Sequence, residues 1–231
     1  MDANLRSAEF SPAASTAAQV ALMLEQRIIN REFLPGSRLV EEELVNVFKV
    51  SRSPVREALR LLANDGLVTI ESRRGARVSQ MNPTDLREVY DCRLVLEGLA
   101  TERAAERCDD DDKVTLRHKL DCLEAAHTDA DPGAFFEANV VLTNAIHEAA
   151  KSITLVRLIR TIAKQGFRYR YLAYQVAPDL MQRSIDSNRE IVDAICLQRA
   201  KLARTLMEEL LLQSWGRIST ILDGMNFSNG K

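Results

Sequence analysis

The most extended pattern of apolar and polar positions in this 231-residue chain is helical, and it covers nearly all of the sequence after residue 83. Apolar residues recur there at spacings of three and four, which is typical of amphipathic helices. We predict helices over residues 83–107, 110–128, 132–150, 152–175, 178–198 and 200–224. Because β-rich alternation does not occur after residue 80, this region should fold as an all-α bundle.

Before residue 80 the pattern changes between helix and strand. Residues 15–32 and 41–48 have the apolar spacing of amphipathic helices. Residues 67–70 and 76–79 are predicted to be strands, and the turn residues 73–75 should join them into a two-stranded hairpin. The order of helix, helix–turn–helix and hairpin is that of a winged helix-turn-helix domain. The fold class is therefore mainly α, with this domain first and the helical bundle second.

The segment from Val50 to Leu62 has two different faces. Its apolar residues follow at i, i+3, i+4 and i+7, and we expect this stripe to be buried: Val55, Ala58, Leu59 and Leu62. Its arginines follow at i, i+4 and i+8 on the opposite side: Arg52, Arg56 and Arg60. Ser51 or Ser53 can cap the start of this helix, and Gly66 can end it. An arginine-lined helix of about three turns fits the DNA major groove in size and charge.

The basic character of the chain is local. The net charge is −2 at pH 7, so the chain as a whole does not indicate nucleic-acid binding. Between Ser51 and Ser79, however, there are six arginines and only three acidic residues. A confined basic patch on a nearly neutral chain is typical of a DNA-contacting surface. The candidate DNA-binding residues are Arg52, Ser53, Arg56, Arg60, Arg73, Arg74, Gly75 and Arg77.

Composition and segment lengths define the class of protein. The chain is 46% hydrophobic and 28% charged, as in ordinary globular proteins. It contains neither an export signal nor a run of 18 apolar residues, so we expect a cytoplasmic protein without a membrane partner. We divide it into a flexible N-terminal arm, a winged helix-turn-helix domain, a linker, an all-α ligand-binding and dimerisation domain, and a tail: 1–14, 15–80, 81–83, 84–225 and 226–231.

Several motifs resemble those of a known family. Residues 15 to 79 are similar to the GntR family of bacterial transcription regulators, through the motifs Leu34–Leu39, Val50–Leu59, Gly66–Val68 and Arg74–Ala76. The helical remainder resembles the FCD ligand-binding domain of the FadR subfamily, through Tyr90–Glu97, with the family pattern R-x-x-L-E, and Asp193–Ile195.

This resemblance implies a function and roles for particular residues. It implies a homodimer that binds a near-palindromic operator in double-stranded DNA and is released or repositioned by a small metabolite. Arg52 and Arg56 would contact the operator, and Arg74 and Gly75 would enter the minor groove. We therefore expect a ligand-responsive transcriptional regulator, and a repressor rather than an activator.

The helical domain departs from the family at its metal site. Many FCD domains bind a divalent metal through an Asp, a His four residues later, and two further His residues. The aligned positions in this chain are Asn139, Thr143, Asn188 and Leu210. Asparagine and threonine are weak neutral donors, and leucine has no donor atom. We therefore expect neither a metal nor another cofactor.

A group of polar side chains falls on the apolar stripes of the predicted helices, and these are the candidate effector-binding residues: Arg93, Asn139, Thr143, His147 and Asn188. A buried polar group without a partner costs roughly 1–3 kcal/mol. Two interpretations are open. The side chains line a cavity that holds water or a ligand, or each is satisfied locally, with Arg93 paired to Glu97, Thr143 bonded to its own backbone and Asn188 on a rim. In the first case Arg93 is the leading anchor, because a guanidinium can bind a carboxylate bidentately.

Two other functions are compatible with parts of the pattern. The C-terminal domain could serve dimerisation alone, which predicts a bundle without a sizeable internal cavity. An all-α enzyme is the other alternative. The sequence has no nucleophile–base arrangement, phosphate-binding loop or metal motif, so we expect no catalytic residues and no enzymatic activity.

Overall fold

The computed structural model describes residues 15–71, 74–80, 82–128 and 131–228, and the side chains up to residue 224. The predicted arm at 1–14 and the candidate Arg73 lie outside the described residues. The chain divides into two compact units, Met1–Met81 and Asn82–Lys231. In the described part, none of the helices is long and apolar enough to cross a membrane.

The first unit has the predicted winged helix-turn-helix architecture. Its elements are α1 (Thr16–Ile29), β1 (Arg38–Leu39), α2 (Glu41–Phe48), α3 (Arg52–Asn64), β2 (Val68–Glu71) and β3 (Gly75–Val78). The sheet is antiparallel with the order β1-β3-β2. The prediction of a two-stranded hairpin was therefore incomplete, because β1 adds a third strand opposite Ala76 and Arg77. A strand of two residues is too short to show an alternating pattern.

Helix α3 is fixed by its apolar stripe, as predicted. All four residues of the stripe are buried, and they pack in one core with Leu24 and Ile28 of α1. Asp65 caps the end of the helix, and Gly66 follows with a φ of +74°, a left-handed conformation that favours glycine. Ser51 is the N-cap residue, but its hydroxyl makes no capping hydrogen bond, so this part of the cap prediction was wrong.

The second unit is all α in its described residues, as predicted. Its helices are α4 (Pro83–Arg107), α5 (Asp110–Thr128), α6 (Pro132–Ala149), α7 (Ile153–Val176), α8 (Asp179–Cys196) and α9 (Ala200–Ser228). Helix α9 continues past the predicted end at 224, so residues 226–228, expected in the tail, are helical. The prediction ended at Gly224 because glycine has a low helix propensity.

Asn82 and Pro83 begin α4 and are not part of a free linker. The Asn82 side chain accepts a hydrogen bond from the backbone N–H of Asp85 at 2.8 Å. The Asp85 carboxylate accepts one in return from the N–H of Asn82 at 3.3 Å. This reciprocal capping box satisfies two donors at the helix start, where Pro83 has no donor to lose. The expected linker 81–83 is therefore partly helical.

Helix α4 is the centre of the second unit, in contact with α6, α7, α8 and α9. Apolar side chains such as Leu86, Phe135 and Ile146 are fully buried around it. Arg93 and Glu97 of α4 are also buried, although both carry charge. Charged groups are rarely buried without partners, so the surroundings of these two residues identify a candidate site.

Truncation of the buried stripe of α3 should destabilise the first unit. Leu59 is 2% exposed, and we expect Leu59→Ala to lower the free energy of unfolding by about 2–5 kcal/mol, through lost burial and the cavity left behind. Leu61 of the same helix is 37% exposed, so Leu61→Ala should cost well under half as much. Urea unfolding followed by circular dichroism measures both. Equal losses would contradict the assigned orientation of α3.

Candidate DNA-binding surface and interior cavity

The exposed face of α3 carries the predicted row of arginines. Arg52, Arg56 and Arg60 are all exposed, and Ser53 is exposed in the first turn beside them. The spacing of four residues keeps the arginines on one side of the helix. The apolar stripe occupies the other side, so the basic face is held outward by the core of the unit.

Carboxylates near the arginines form weak, exposed ion pairs. The Arg56 Nε donates to Glu41 Oε2 at 2.8 Å, and Arg52 Nη2 lies 3.8 Å from Glu42 Oε1. Arg60 is 3.4 Å from Glu57. Exposed pairs of this kind contribute about 0–1 kcal/mol each. Phosphate or base acceptors can therefore replace the glutamates at little cost.

The hairpin contributes a second basic area. The Arg74 side chain is exposed, 3.9 Å from Glu71. Gly75 has a φ of +89°, a left-handed value that a side chain would make costly. Arg77, also a candidate DNA contact, is exposed, and its Nη1 donates to the Gly36 carbonyl at 3.1 Å.

Arg38 was missed as a candidate DNA contact. It is exposed on β1, directly opposite Arg77 of β3. Its Nε is 4.0 Å from the position that a Cβ would occupy at Gly75. The only sequence signal was its place in the motif Leu34–Leu39, because the pairing of β1 with the hairpin cannot be seen in the sequence.

The second unit contains a partly open cavity of about 390 Å³, bounded by α4, α6, α7, α8 and α9. This volume is at the lower end of the range of small-molecule pockets, about 300–1,000 Å³. Arg93, Asn139 and Thr143 line it, whereas the candidates His147 and Asn188 do not. A cavity therefore exists where the sequence left two interpretations open. The polar side chains nevertheless also have local partners.

Arg93 and Glu97 form a buried ion pair in the cavity wall. Arg93 Nε donates to Glu97 Oε1 at 2.6 Å, and the exposed fractions of the two side chains are 4% and 1%. Burial by itself would raise the pKa of Glu97, but Arg93 and the nearby His147 together outweigh it and hold that pKa well below its usual range. Burial lowers and Glu97 raises the pKa of Arg93, with a net increase. Both groups are therefore charged at neutral pH.

His147 is adjacent to this pair and not to the cavity. Its Nε2 lies 3.5 Å from Glu97 Oε2, which is long for a hydrogen bond. Neither ring nitrogen has a hydrogen-bond partner among the described residues, although the side chain is buried. A direct effector contact by His147 is therefore not supported by its position.

The amide and hydroxyl candidates are connected through Ser184 of α8. Asn139 Nδ2 donates to Ser184 Oγ at 2.9 Å, and Asn188 Nδ2 donates to the Ser184 carbonyl at 2.7 Å. Thr143 Oγ1 donates to the Asn139 carbonyl at 2.7 Å, which is the local satisfaction considered above. Asn188 is only 1% exposed, so its expected position on a rim was wrong.

Arg170 of α7 is a cavity residue that the sequence analysis did not select. It is 9% exposed, and burial lowers the pKa of its guanidinium. Its spacing of four residues from Gly166 and Tyr174 puts all three on one face of α7. This spacing was the signal that the sequence offered for Arg170. The aromatic residues next to it in the sequence, however, favoured core and dimer packing as the interpretation.

The residues at the family's metal positions do not fit a metal centre. Asn139, Thr143 and Asn188 offer only neutral side-chain oxygens as ligands, and Leu210 lines the cavity without a donor atom. Throughout the described ranges, no group of three or more His, Cys, Asp or Glu side chains could hold a metal ion. Neutral amide and hydroxyl groups are poor ligands for transition metals.

Comparisons with known proteins agree with the two units. Residues 16–78 match bacterial regulatory proteins of the gntR family, and residues 88–213 match the FCD domain. The chain belongs to the GntR family of DNA-binding bacterial transcriptional regulators. The FCD match covers more than half of it, and both resemblances noted in the sequence are thereby confirmed.

Relatives of this GntR-family chain are named as regulators. It is 39% identical over 125 residues to the gluconate operon transcriptional repressor of Bacillus licheniformis, covering 53% of this chain and 51% of that protein. It is 39% identical over 103 residues to the uncharacterized HTH-type transcriptional regulator YdhC of Bacillus subtilis, covering 45% and 46%. The chain thus matches about half the length of these curated relatives. The structure of E. coli McbR/YncC shares the fold, with a TM-score of 0.82 at 21% identity over 90% of this chain and 99% of that one.

Removal of the buried carboxylate should strongly destabilise the FCD unit. We expect Glu97→Gln to lower the free energy of unfolding at pH 7 by about 3–5 kcal/mol, because Arg93 is left buried without a counter-charge. The exposed pair of Arg87 and Asp91 on the same helix provides the control, and Asp91→Asn should cost about 0–1 kcal/mol. Urea unfolding followed by circular dichroism measures both variants.

The same pair predicts a pH dependence. The folded pKa of Glu97 is depressed, so its contribution is fully present above the ordinary glutamate pKa of about 4.3 and is lost as the pH falls below it. The difference in stability between wild type and Glu97→Gln should therefore shrink below about pH 4. A difference that is independent of pH would contradict an ionised Glu97.

Proposed function

We propose that the protein is a ligand-responsive repressor that binds a near-palindromic operator as a homodimer. Helix α3 would enter the major groove, and the hairpin of β2 and β3 would contact the adjacent minor groove through Arg74 and Gly75. The observation that carries the proposal is the row of exposed arginines on a helix whose opposite face is fixed in the core. This arrangement presents cations at a spacing that suits base edges and phosphates.

Effector sensing is the second part of the proposal. A C-terminal unit that serves dimerisation alone predicts a bundle without a sizeable cavity, whereas this one contains a partly open cavity of about 390 Å³. The cavity wall contains arginine side chains, which favour an anionic metabolite, and a carboxylate is the leading candidate. Binding would act on the operator complex by changing the relative population of two arrangements of the dimer.

Dimerisation and repression have independent support. A recognition helix reads only a few base pairs, and helix-turn-helix proteins commonly bind two half-sites as symmetric dimers. Two relatives, from Bacillus licheniformis and Bacillus subtilis, are named gluconate operon transcriptional repressors, which favours repression over activation. To bind an operator in a bacterium, the protein would have to be in the cytoplasm. We propose that it regulates transcription and does not catalyse a reaction.

Loss of the α3 arginines should abolish specific DNA binding. Duplexes selected by the wild-type protein from a randomised library provide the probe, and fluorescence anisotropy gives the dissociation constant. We expect Arg52→Ala and Arg56→Ala each to weaken binding at least about tenfold. For wild type, affinity should fall steeply from about 50 to about 200 mM salt, because phosphate contacts release counterions.

An exposed arginine elsewhere provides the matched control. Arg103→Ala, in the second unit, should leave the affinity within about twofold, since that side chain pairs with Glu106 on the surface of α4. Circular dichroism should show native folding of all three variants. The mass of the complex should correspond to two chains per duplex. Unchanged affinity in both α3 variants would refute the assigned surface, and a single chain per duplex would refute the dimer.

We further propose that the effector domain works without a metal. Support comes from the family's metal positions, where Asn139, Thr143 and Asn188 supply only neutral oxygens and Leu210 has no donor atom. Elemental analysis of protein purified without chelator should find less than about 0.1 equivalent of transition metal per chain. Dialysis against EDTA should leave the thermal unfolding midpoint unchanged. About one equivalent of zinc or nickel per chain would refute the proposal.

A further inference from the structure

Positive charge in the cavity wall is only partly compensated. In the described chain, four of the lining side chains are arginines: Arg93, Arg170, Arg183 and Arg217. Arg93 is neutralised by Glu97 at 2.6 Å. Arg183 and Arg217 lie 3.5 and 3.3 Å from the carboxylate of Asp179. The remaining guanidinium has no carboxylate within ion-pair distance among the described residues.

That guanidinium belongs to Arg170, which is also buried. Its Nε is inaccessible to solvent and has no hydrogen-bond partner among the described residues. The guanidinium carbon lies 5.2 Å from the ring centroids of both Phe136 and Phe167. Cation–π contacts hold the group in position but do not satisfy its N–H donors. A buried, unpaired cation is costly, and an anion in the cavity would remove the cost.

The other polar groups near Arg170 are already used within the protein. Ser184 Oγ receives hydrogen bonds from Asn139 Nδ2 at 2.9 Å and from Tyr174 Oη at 3.3 Å. Asn188 Nδ2 approaches the same oxygen at 3.2 Å. The Thr143 hydroxyl donates to its own helix backbone. Few donors and acceptors are therefore left to recognise the hydroxyl groups of a ligand.

The rest of the wall is mainly apolar, and its other uncharged polar side chains in the described chain include Ser187, Gln213 and Ser214, of which Ser214 is bonded to Tyr90. Helices α7, α8 and α9 contribute Ala173, Leu180, Met207, Leu210, Leu211 and Ile218. Apolar walls bind apolar surface and impose a cost on hydroxyl groups that lose their water without gaining a partner. The cavity thus combines a buried arginine without a carboxylate partner, two arginines that share the one carboxylate of Asp179, and a mainly apolar wall.

We infer that Arg170 is the anchor for the effector, and that the effector is a small monocarboxylate with an apolar body. This inference rests on the proposed sensing function and specifies its ligand. The carboxylate binds the Arg170 guanidinium, and the body packs against α8 and α9. The sequence favoured Arg93 as the anchor for a carboxylate. Its guanidinium instead donates hydrogen bonds to Glu97, so its role is to hold the cavity wall in place.

Calorimetric titration of the full chain tests the ligand class with defined probes. Benzoate and octanoate represent monocarboxylates with apolar bodies, gluconate a polyhydroxy monocarboxylate, citrate a tricarboxylate, and benzamide an uncharged analogue of benzoate. Benzoate or octanoate should bind at least about tenfold more tightly than the other three, because only they match both the cation and the apolar wall. Tighter binding of gluconate or citrate, or binding of none of the probes, would overturn the ligand class.

Two substitutions test the anchor. Arg170→Met removes the charge and should weaken benzoate or octanoate binding at least about tenfold, and Arg170→Lys should give an intermediate affinity, because an ammonium cannot bind bidentately. Arg160→Met is the control, since Arg160 is on the same helix but is exposed and paired with Glu148. It should bind the probes as wild type does. Equal affinity of wild type and Arg170→Met would overturn the anchor.

Stability without ligand provides a second readout that does not depend on binding. Removal of an unpaired buried cation should leave the thermal unfolding midpoint of Arg170→Met unchanged or raise it. A clear decrease would show that Arg170 has a structural partner and would count against the inference. DNA binding is measured on the same preparations. If the wild type does not bind operator DNA, the proposed function is refuted. If it binds operator DNA but none of the probes, only this inference is refuted.

Discussion

The buried ion pair between Arg93 and Glu97 is the interaction on which the second unit depends. Both groups are on α4, the helix that contacts α6, α7, α8 and α9. A charge in this position is tolerated only while its partner is present, because the cost of removing either one is the desolvation of the other. The pair therefore fixes a polar wall in the middle of an apolar bundle, and the cavity lies against that wall.

The same pair determines what its neighbours can do. Glu97 is committed to Arg93, so it does not neutralise Arg170, which remains the unpaired cation of the described cavity wall. An anion that enters the cavity would complete a set of charges that the protein leaves unbalanced. Since α7 and α9 both border the cavity, ligand binding can change how these helices pack within the unit. Such a change is the first physical step of effector control.

The first unit depends on a simpler constraint. One stripe of α3 must be buried against α1, and this fixes the opposite face with Arg52, Arg56 and Arg60 in solvent. Local sequence is sufficient for such a prediction, because the period of the helix relates the two faces directly. The third strand β1 was not predictable in this way. Its two residues form a strand only because they pair with β3, which is distant in the sequence.

The candidate cavity shows the limit of sequence reasoning. Polar residues on apolar stripes correctly indicated an unusual interior around Arg93, Asn139 and Thr143. Periodicity, however, cannot say which partner each buried group finds on another helix. Ser184 connects Asn139 and Asn188 across α6 and α8, and His147 turns to Glu97 instead of the cavity. The contacts of Asn139 with Ser184 and of His147 with Glu97 join residues 45 and 50 positions apart, so they depend on helix packing.

The sequence alone thus determined the two-unit organisation, the basic face of α3 and the family, because each is encoded in local periodicity or in short motifs. Tertiary structure alone decided the charge balance of the cavity. Arg93 and Arg170 are both arginines on apolar helical stripes. The i+4 position of Glu97 indicates a partner for Arg93, but the local sequence does not show whether another helix supplies a carboxylate to Arg170. The difference is that Glu97 lies one turn from Arg93 on the same helix, whereas two aromatic rings and an empty volume surround Arg170.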